Sequence, residues 1–437
     1  MLTSVPAGFS KIRGDEYRER DAINRVFTIG LWSFSLIIAL MKILFICNKS
    51  PYPHREGGPI AMNRMIEGMI AQGHQVKVLA INSYKYYVKP GDVPEAYREK
   101  TGLELIMLDL RLKVWDAFLN LFSKKSYHVQ RFISTDFQKR IEQLVNQEQY
   151  DIVQMETLFV APYMDVIRRA SPKTKIVLRA HNIEYLIWER IRQTTQNPLK
   201  KLYLRHIVNT LKRYELNTLP HFDAIAAITH HDAAFIRKYN RNTLAVPFGI
   251  NADEYPVSDP DTWEYPSLFH IGSMNWMPNE EGIRWFLDKV WPLVRQNNPA
   301  LKLYLAGRHM PAWIYEIEDK NLIVLGEVDS AVDFMMQKGV MIVPLLSGSG
   351  IRIKIIEAMA CGKPVVATST GAEGIDVTHQ EDIWLADEPE EFSEAIDTLV
   401  KDKQTAAIIG QKARKTIGKK YDNDTLMEYL TEFYKNL

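Results

Sequence analysis

From Lys42 onward, short apolar runs alternate with longer stretches whose apolar residues recur at helical spacing. KILFICN (42–48) precedes a helix-like stretch from Pro59 to Gln72, which leads into QVKVLAIN (75–82). This rhythm predicts βαβ units. Runs at Leu103–Leu110, Asp151–Leu158, Lys175–Asn182, Ala224–Thr229 and Thr243–Gly249 continue it. They are apolar throughout rather than on every second residue, as parallel strands covered on both faces require. Between Pro247 and Pro266 the pattern breaks: four prolines lie among Asp, Asn and Ser residues with no apolar period. This stretch reads as an interdomain linker. The rhythm then restarts with Ser267–Ser273, Leu301–Gly307, Asn321–Glu327, Val340–Leu346, Lys363–Ser369 and Asp382–Asp387. Two consecutive doubly wound α/β domains are therefore expected, with ligand-binding loops at the carboxyl ends of their strands lining a central cleft.

Length and charge narrow the function. A chain of 437 residues has room for two or three domains. Its net charge of +1 supplies no global field for polyanions, so nucleic acid is not an expected partner. The two cysteines, Cys47 and Cys361, lie in apolar runs and can build neither a disulfide framework nor a zinc cluster, which fits a reducing cytoplasm. Ile29–Met41 is apolar but shorter than the ~20 residues of a spanning helix. Met41 reads as the natural start of an α/β domain, so residues 1–40 are expected to be an extension, or an upstream start, that carries no chemistry. The expected parts are residues 1–40 (extension), 41–253 (N-terminal Rossmann-like domain), 254–420 (C-terminal Rossmann-like domain) and a final segment 421–437.

The most informative stretch is GSGIRIKIIEAMACGKPVV (348–366), where a glycine-rich turn leaves a buried strand and opens an amphipathic helix. Amide N–H groups at a helix start favour phosphate oxygens, and Arg352 and Lys354 add two cations within the first turn. Glu357, about one and a half turns in, can accept hydrogen bonds from ribose hydroxyls. The competing reading is a helix start with a solvated basic edge.

EAMACGKPVVAT after a glycine turn resembles the donor-site signature of retaining GT-B glycosyltransferases, particularly family 4. HIGSMNWMPN (270–279), LAGR (305–308), LGEV (325–328), PFGIN (247–251) and RAHNIEY (179–185) agree in order and spacing. The resemblance implies the GT-B architecture over Met41 to the C-terminus, two Rossmann-like domains facing a cleft, with 41–253 the acceptor domain and 254–420 the nucleotide-sugar donor domain. It implies that Glu357 holds the ribose, that Gly272 admits the phosphates, and that Gly326, Glu327 and Val328 read the base. His181 would face the donor sugar, with Gly57 and Gly58 close to the transferring sugar and acceptor. It also implies that 422–437 crosses back onto the N-terminal domain.

Two departures bear on chemistry. The family's first motif glutamate is replaced by Ser349, which with Gly350 and Ile351 forms the turn expected to touch the donor; a hydroxyl supplies no negative charge near the sugar. The usual Arg and Lys pair after the first C-domain strand is absent, leaving Arg352 and Lys354, with Arg308, to neutralise a diphosphate. His181 taken alone reads more readily as a structural histidine, and its place at a strand end shifts the balance toward function. His230, His231 and Asp232 point in different directions from one turn, and Asp259-Pro-Asp261 sits in the predicted linker as turn chemistry, so neither metal nor cofactor is expected.

The stretch 190–213 carries seven cations and no acidic residue, with Leu199, Tyr203, Ile207, Leu211 and Tyr214 at helical spacing. It predicts one basic amphipathic helix, either packed on the core or in peripheral contact with the inner membrane face. The resulting expectation is a cytoplasmic, retaining hexosyltransferase-like enzyme of polysaccharide biosynthesis, moving a sugar from a nucleotide diphosphate to a glycan or lipid-linked hydroxyl. The alternatives are an epimerase or sugar phosphorylase of the same fold, or an inactive nucleotide-sugar-binding partner subunit. Base, sugar, acceptor and oligomeric state leave no trace in residue identity.

Overall fold

A computed structural model of the chain describes residues 40–54, 57–111, 115, 120, 121, 123–348 and 350–437. All thirteen apolar runs become strands, and every ladder is parallel. The first sheet holds β1 (Lys42–Cys47), β2 (Gln75–Asn82), β3 (Glu104–Met107), β4 (Ile152–Glu156), β5 (Lys175–Ala180), β6 (Ala224–Ala227) and β7 (Thr243–Ala245), in the order 3-2-1-4-5-6-7. The second holds β8 (Glu264–Ile271), β9 (Lys302–Ala306), β10 (Leu322–Gly326), β11 (Lys338–Val343), β12 (Val365–Ala367) and β13 (Trp384–Leu385), in the order 10-9-8-11-12-13. In each sheet the order reverses beside the first strand, between β1 and β4 and between β8 and β11. A crevice opens outside the strand ends at such a reversal.

The unbroken apolar runs reflect burial on both faces. In β1, Leu44 and Ile46 enter one core while Ile43, Phe45 and Cys47 enter the other. β8 likewise splits Leu268 from Phe269 and Ile271. The helices that bear on the cleft are α1 (Gly57–Ala71), α2 (Glu184–Thr194), α3 (Pro198–Thr218), α4 (Met277–Trp285), α5 (Ile353–Ala360), α6 (Lys403–Lys420) and α7 (Asn423–Lys435). α7 follows the second sheet in sequence yet packs on the first: Met427, Leu430 and Tyr434 join the core built on β1 and α1.

Two expectations need correction. The basic stretch 190–213 is two helices, because Asn197 caps α3 by accepting from the Leu199 and Lys200 N–H groups and Pro198 occupies the first turn. Leu204, Ile207 and Leu211 are buried, whereas Leu199 is 79% and Leu202 66% exposed, so the apolar stripe does not reach the helix start. The stretch 247–266 is a packed connection rather than a loose linker. Phe248, Ile250 and Tyr255 are buried in the second domain's core, and β8 already begins at Glu264. Arg414 of α6 secures it, donating to the carbonyls of Ala252 and Tyr255 at 3.0 Å each.

Candidate active site

The C-terminal wall of the cleft is built where β8, β9, β10 and β11 end. Gly272 follows β8 and donates its N–H to the Ala306 carbonyl at 3.0 Å. A Cβ there would lie 2.8 Å from Lys354 Nζ and 2.8 Å from Asn279 Nδ2, so a larger residue would push the lysine and asparagine ends aside at the strand mouth. Lys354, in the first turn of α5, is held on two sides. Its ammonium donates to Asn279 Oδ1 of α4 at 2.8 Å and lies 3.3 Å from His270 Nε2. Since the Ile342 carbonyl can only accept, His270 carries its hydrogen on Nδ1, 2.9 Å away, and offers the Nε2 lone pair to the lysine. Burial, reinforced by the neighbouring Arg352 charge, pulls Lys354 down to about 7. Burial and the Lys354 charge together hold His270 well below the usual histidine range.

Arg352, expected to help neutralise a diphosphate, is buried. Its guanidinium donates to the Gly350 carbonyl and, at 3.4 Å, to that of Thr370, and lies 5.3 Å from the Trp276 ring centre. Burial lowers it to about 10. The side chain braces the glycine turn from beneath: at Gly348, where φ is +112°, a Cβ would meet its Nη2 at 2.9 Å and the Trp276 ring at 3.1 Å. Ser349 lies outside the described residues. Ile351 is partly buried against the second domain's core.

Glu357, one turn further into α5, accepts from the Tyr255 hydroxyl at 3.2 Å. Burial raises this carboxyl, opposed by that hydrogen bond and by the Arg64 charge. Arg64 reaches over from α1 and pairs with Glu254 at 2.6 Å. The loops expected to read a base lie beside Gly272: Met274 N–H donates to Arg308 O, and Gly307 N–H to Gly326 O at 2.7 Å. Gly326 has φ +70°. Arg308 pairs with Glu327 at 3.4 Å on an exposed rim, while Val328 packs on the core.

The N-terminal wall comes from the ends of β1, β4 and β5. His181 follows β5 directly, and its Nε2 lies 2.6 Å from Glu156 Oε2 at the end of β4. A Cβ on Gly350 would stand 2.8 Å from Asn182 Oδ1 and 3.7 Å from the His181 carbonyl, so the β5 end meets the glycine turn across the cleft. Gly57 opens α1, and a Cβ there would approach Ile353 at 3.7 Å; Gly58 instead makes room for Lys49, whose Nζ would be 2.9 Å from its Cβ. A clasp joins the walls beside this meeting point. Arg190 of α2 donates to the Gly348 carbonyl at 2.5 Å and to the Glu373 carboxylate at 2.8 and 3.0 Å.

His181, Gly57, Gly272, Gly350, Lys354 and Glu357 are thus gathered along one cleft. Several partners lie outside every motif: Glu156, Tyr255, Arg190 and Glu373; His270 and Asn279 are the two ends of the HIGSMNWMPN motif, which assigned them no role. One signal existed for Glu156. Gln154 and Glu156 are polar residues two apart on a strand buried along its whole length, hence on one face and in need of partners. His231, 79% exposed, lies 3.6 Å from Asp232, and among the described residues no three His, Cys, Asp or Glu side chains gather as a metal would require. Asp259 caps a turn, accepting from the Asp261 N–H at 2.9 Å.

Residues 265–402 match the model of the family described as glycosyl transferases group 1, a span from β8 to the helix after β13. Over 399 residues the chain is 23% identical to an uncharacterized 44.6 kDa protein of the cps region of Klebsiella pneumoniae, with 88% of this chain and 97% of that protein covered. Among solved structures it is similar to Anabaena HepE in complex with UDP: TM-score 0.64 and 16% identity over 91% of this chain and all of that one. It is also similar to the sucrose-phosphate synthase of Thermosynechococcus elongatus, with TM-score 0.67 and 16% identity over 91% of this chain and 98% of that one. The fold is GT-B, two Rossmann-like domains. Among the described residues no helix is long and apolar enough to cross a membrane.

Proposed function

We propose that the protein transfers a sugar from a nucleotide diphosphate sugar to an acceptor hydroxyl, with retention at the anomeric carbon, in the synthesis of a polysaccharide. The observation that carries this reading is the setting of Lys354. An ammonium wedged beside Gly272 at the mouth of the second sheet, at the start of α5, is a pre-arranged partner for a diphosphate. Three further facts support it: the family match spans these elements, HepE was crystallised with UDP and with UDP-glucose, and the Klebsiella relative belongs to a cps region.

In the reaction the bond between the anomeric carbon and the diphosphate oxygen breaks, its electron pair leaving with the nucleotide. Lys354 and the N–H groups of the glycine turn meet that growing charge, and Arg352 keeps the turn in place. The acceptor oxygen bonds to the same face of the oxocarbenium-like carbon, and its proton passes to the departing diphosphate. Glu357, steadied by Tyr255, takes the ribose hydroxyls. No metal or cofactor enters this scheme, and the cytoplasm, where nucleotide sugars are made, is the compartment it fits.

Glu357→Ala removes a charged hydrogen-bond acceptor worth ~1.5–3 kcal/mol, so nucleotide affinity is expected to fall ~10- to 100-fold. Calorimetry with UDP, GDP and ADP on the folded variant measures it and identifies the base. A variant of unchanged melting temperature that binds the nucleotide as well as the parent would overturn the assignment.

A further inference from the structure

A buried chain of polar side chains runs from the C-terminal helix to the cleft. The Tyr434 hydroxyl of α7 donates to Gln154 Oε1 at 2.5 Å. The amide of Gln154 donates to Glu156 Oε1 at 2.5 Å, and Glu156 Oε2 meets His181 Nε2 at 2.6 Å. Gln154 and Glu156 are fully buried, Tyr434 is 3% exposed, and only the histidine reaches the cleft, with 12% of its side chain accessible. The groups that face Glu156 from neighbouring elements are Cys47 of β1, Arg179 of β5 and Tyr434 of α7. The Arg179 guanidinium also donates to the Val246 carbonyl at 2.6 Å.

The backbone at this point is held away from an ordinary conformation. Thr157, the residue after Glu156, has φ +87°, which a β-branched residue rarely adopts, and its Oγ1 is buried with no hydrogen-bond partner. Such strain persists only where the surroundings fix it.

We propose that Glu156 is a positioning residue for glycosyl transfer: it holds the hydrogen of His181 on Nε2, so that Nδ1 offers a lone pair to a hydroxyl in the cleft. An ionised carboxylate only accepts, so the nitrogen facing it carries the hydrogen and the other is left as acceptor. The alternative tautomer turns Nδ1 into a donor and leaves two lone pairs opposed at 2.6 Å. Gln154 and Tyr434 keep the carboxylate from rotating, which ties the cleft histidine to the helix that crosses between the domains. This role rests on the proposed glycosyl transfer; the tautomer does not.

Two measurements separate the parts. Long-range proton–nitrogen NMR of histidine-labelled protein without any substrate, with the His181 signals identified by their loss in His181→Ala, reads the tautomer directly. Hydrogen on Nε2 is expected, and hydrogen on Nδ1 would overturn the proposal whatever reaction the protein performs. In turnover with the nucleotide sugar selected by calorimetry, Glu156→Gln is expected to lower kcat at least tenfold while nucleotide affinity stays within twofold. The double variant with His181→Ala should be no slower than His181→Ala alone. Losses that multiply, or a loss of nucleotide affinity that matches the loss of kcat, would make Glu156 merely structural. If Glu156→Gln does not fold, Tyr434→Phe, which removes one oxygen from the far end, takes its place in the same assays with a smaller expected loss.

Discussion

Lys354 is an ammonium that the folded protein keeps on the edge of discharge. Burial pulls it to about 7, and Asn279 and His270 hold it without neutralising it, since neither is an anion. A diphosphate supplies the missing negative charge and favours the protonated form, so the bound state has the higher pKa. Affinity is then fully expressed below pH 7 and falls as pH rises through the free-state value, by at most tenfold per unit, until the bound-state value is reached. Calorimetry of a sugar nucleotide, whose diphosphate does not titrate in this range, between pH 6 and 9 should show this decline. It should also show proton uptake on binding near pH 7.5 in buffers of different ionisation enthalpy. Lys354→Met is expected to bind ~10- to 100-fold more weakly at pH 6, with a flat profile. A flat profile in the parent protein would mean that Lys354 is not the diphosphate's partner.

At the scale of elements, the last helix is fitted to the first domain by glycines. A Cβ on Gly68 of α1 would lie 2.4 Å from Met427 Cγ, and one on Gly249 would lie 2.9 Å from the Asn423 Cα. The second clash is with backbone and cannot be relieved by a rotamer change. Gly249→Ala is therefore expected to cost ~1–3 kcal/mol through displacement of α7, outweighing the entropy that alanine removes from the unfolded chain. Limited proteolysis should reveal it as faster cleavage around 421–437, with a lower melting temperature; equal cleavage rates would show that α7 docks without this fit. None of these contacts is marked by apolar pattern. Strand positions were legible because two-sided burial demands unbroken apolar runs such as KILFIC, and the two sheets followed from their order. Less legible was anything decided by pairs far apart in sequence: Glu156 with His181, Lys354 with Asn279, Arg190 with Glu373. Arg352 shows the same limit from the other side. A cation in a helix first turn looks solvent-facing in sequence, yet the carbonyls of the turn it adjoins draw it inward.

For the molecule as a whole, the question is what keeps two separately cored domains facing each other. The chain passes between them through the packed connection at 247–263 and again at α7, where Ile250 exchanges backbone hydrogen bonds with Tyr421 and Asn423. These crossings lie together, where a hinge between the domains would sit, while the Arg190 clasp spans the cleft from α2 to the glycine turn. Arg190 and Glu373 are each more than a third exposed, so the bidentate pair contributes only ~0.5–1 kcal/mol after solvent screening. That is still a two- to fivefold bias toward closure, and its place is decisive because Arg190 binds the carbonyl of Gly348 in the turn that would meet the diphosphate. Arg190→Ala should raise the open population by that factor, seen as a larger radius of gyration in X-ray scattering, and 0.5 M salt should act on the parent in the same direction. With water admitted to the cleft, hydrolysis of the sugar nucleotide should rise relative to transfer to the acceptor. Unchanged scattering together with an unchanged ratio of hydrolysis to transfer would place closure entirely in the hinge and leave the clasp no part in it.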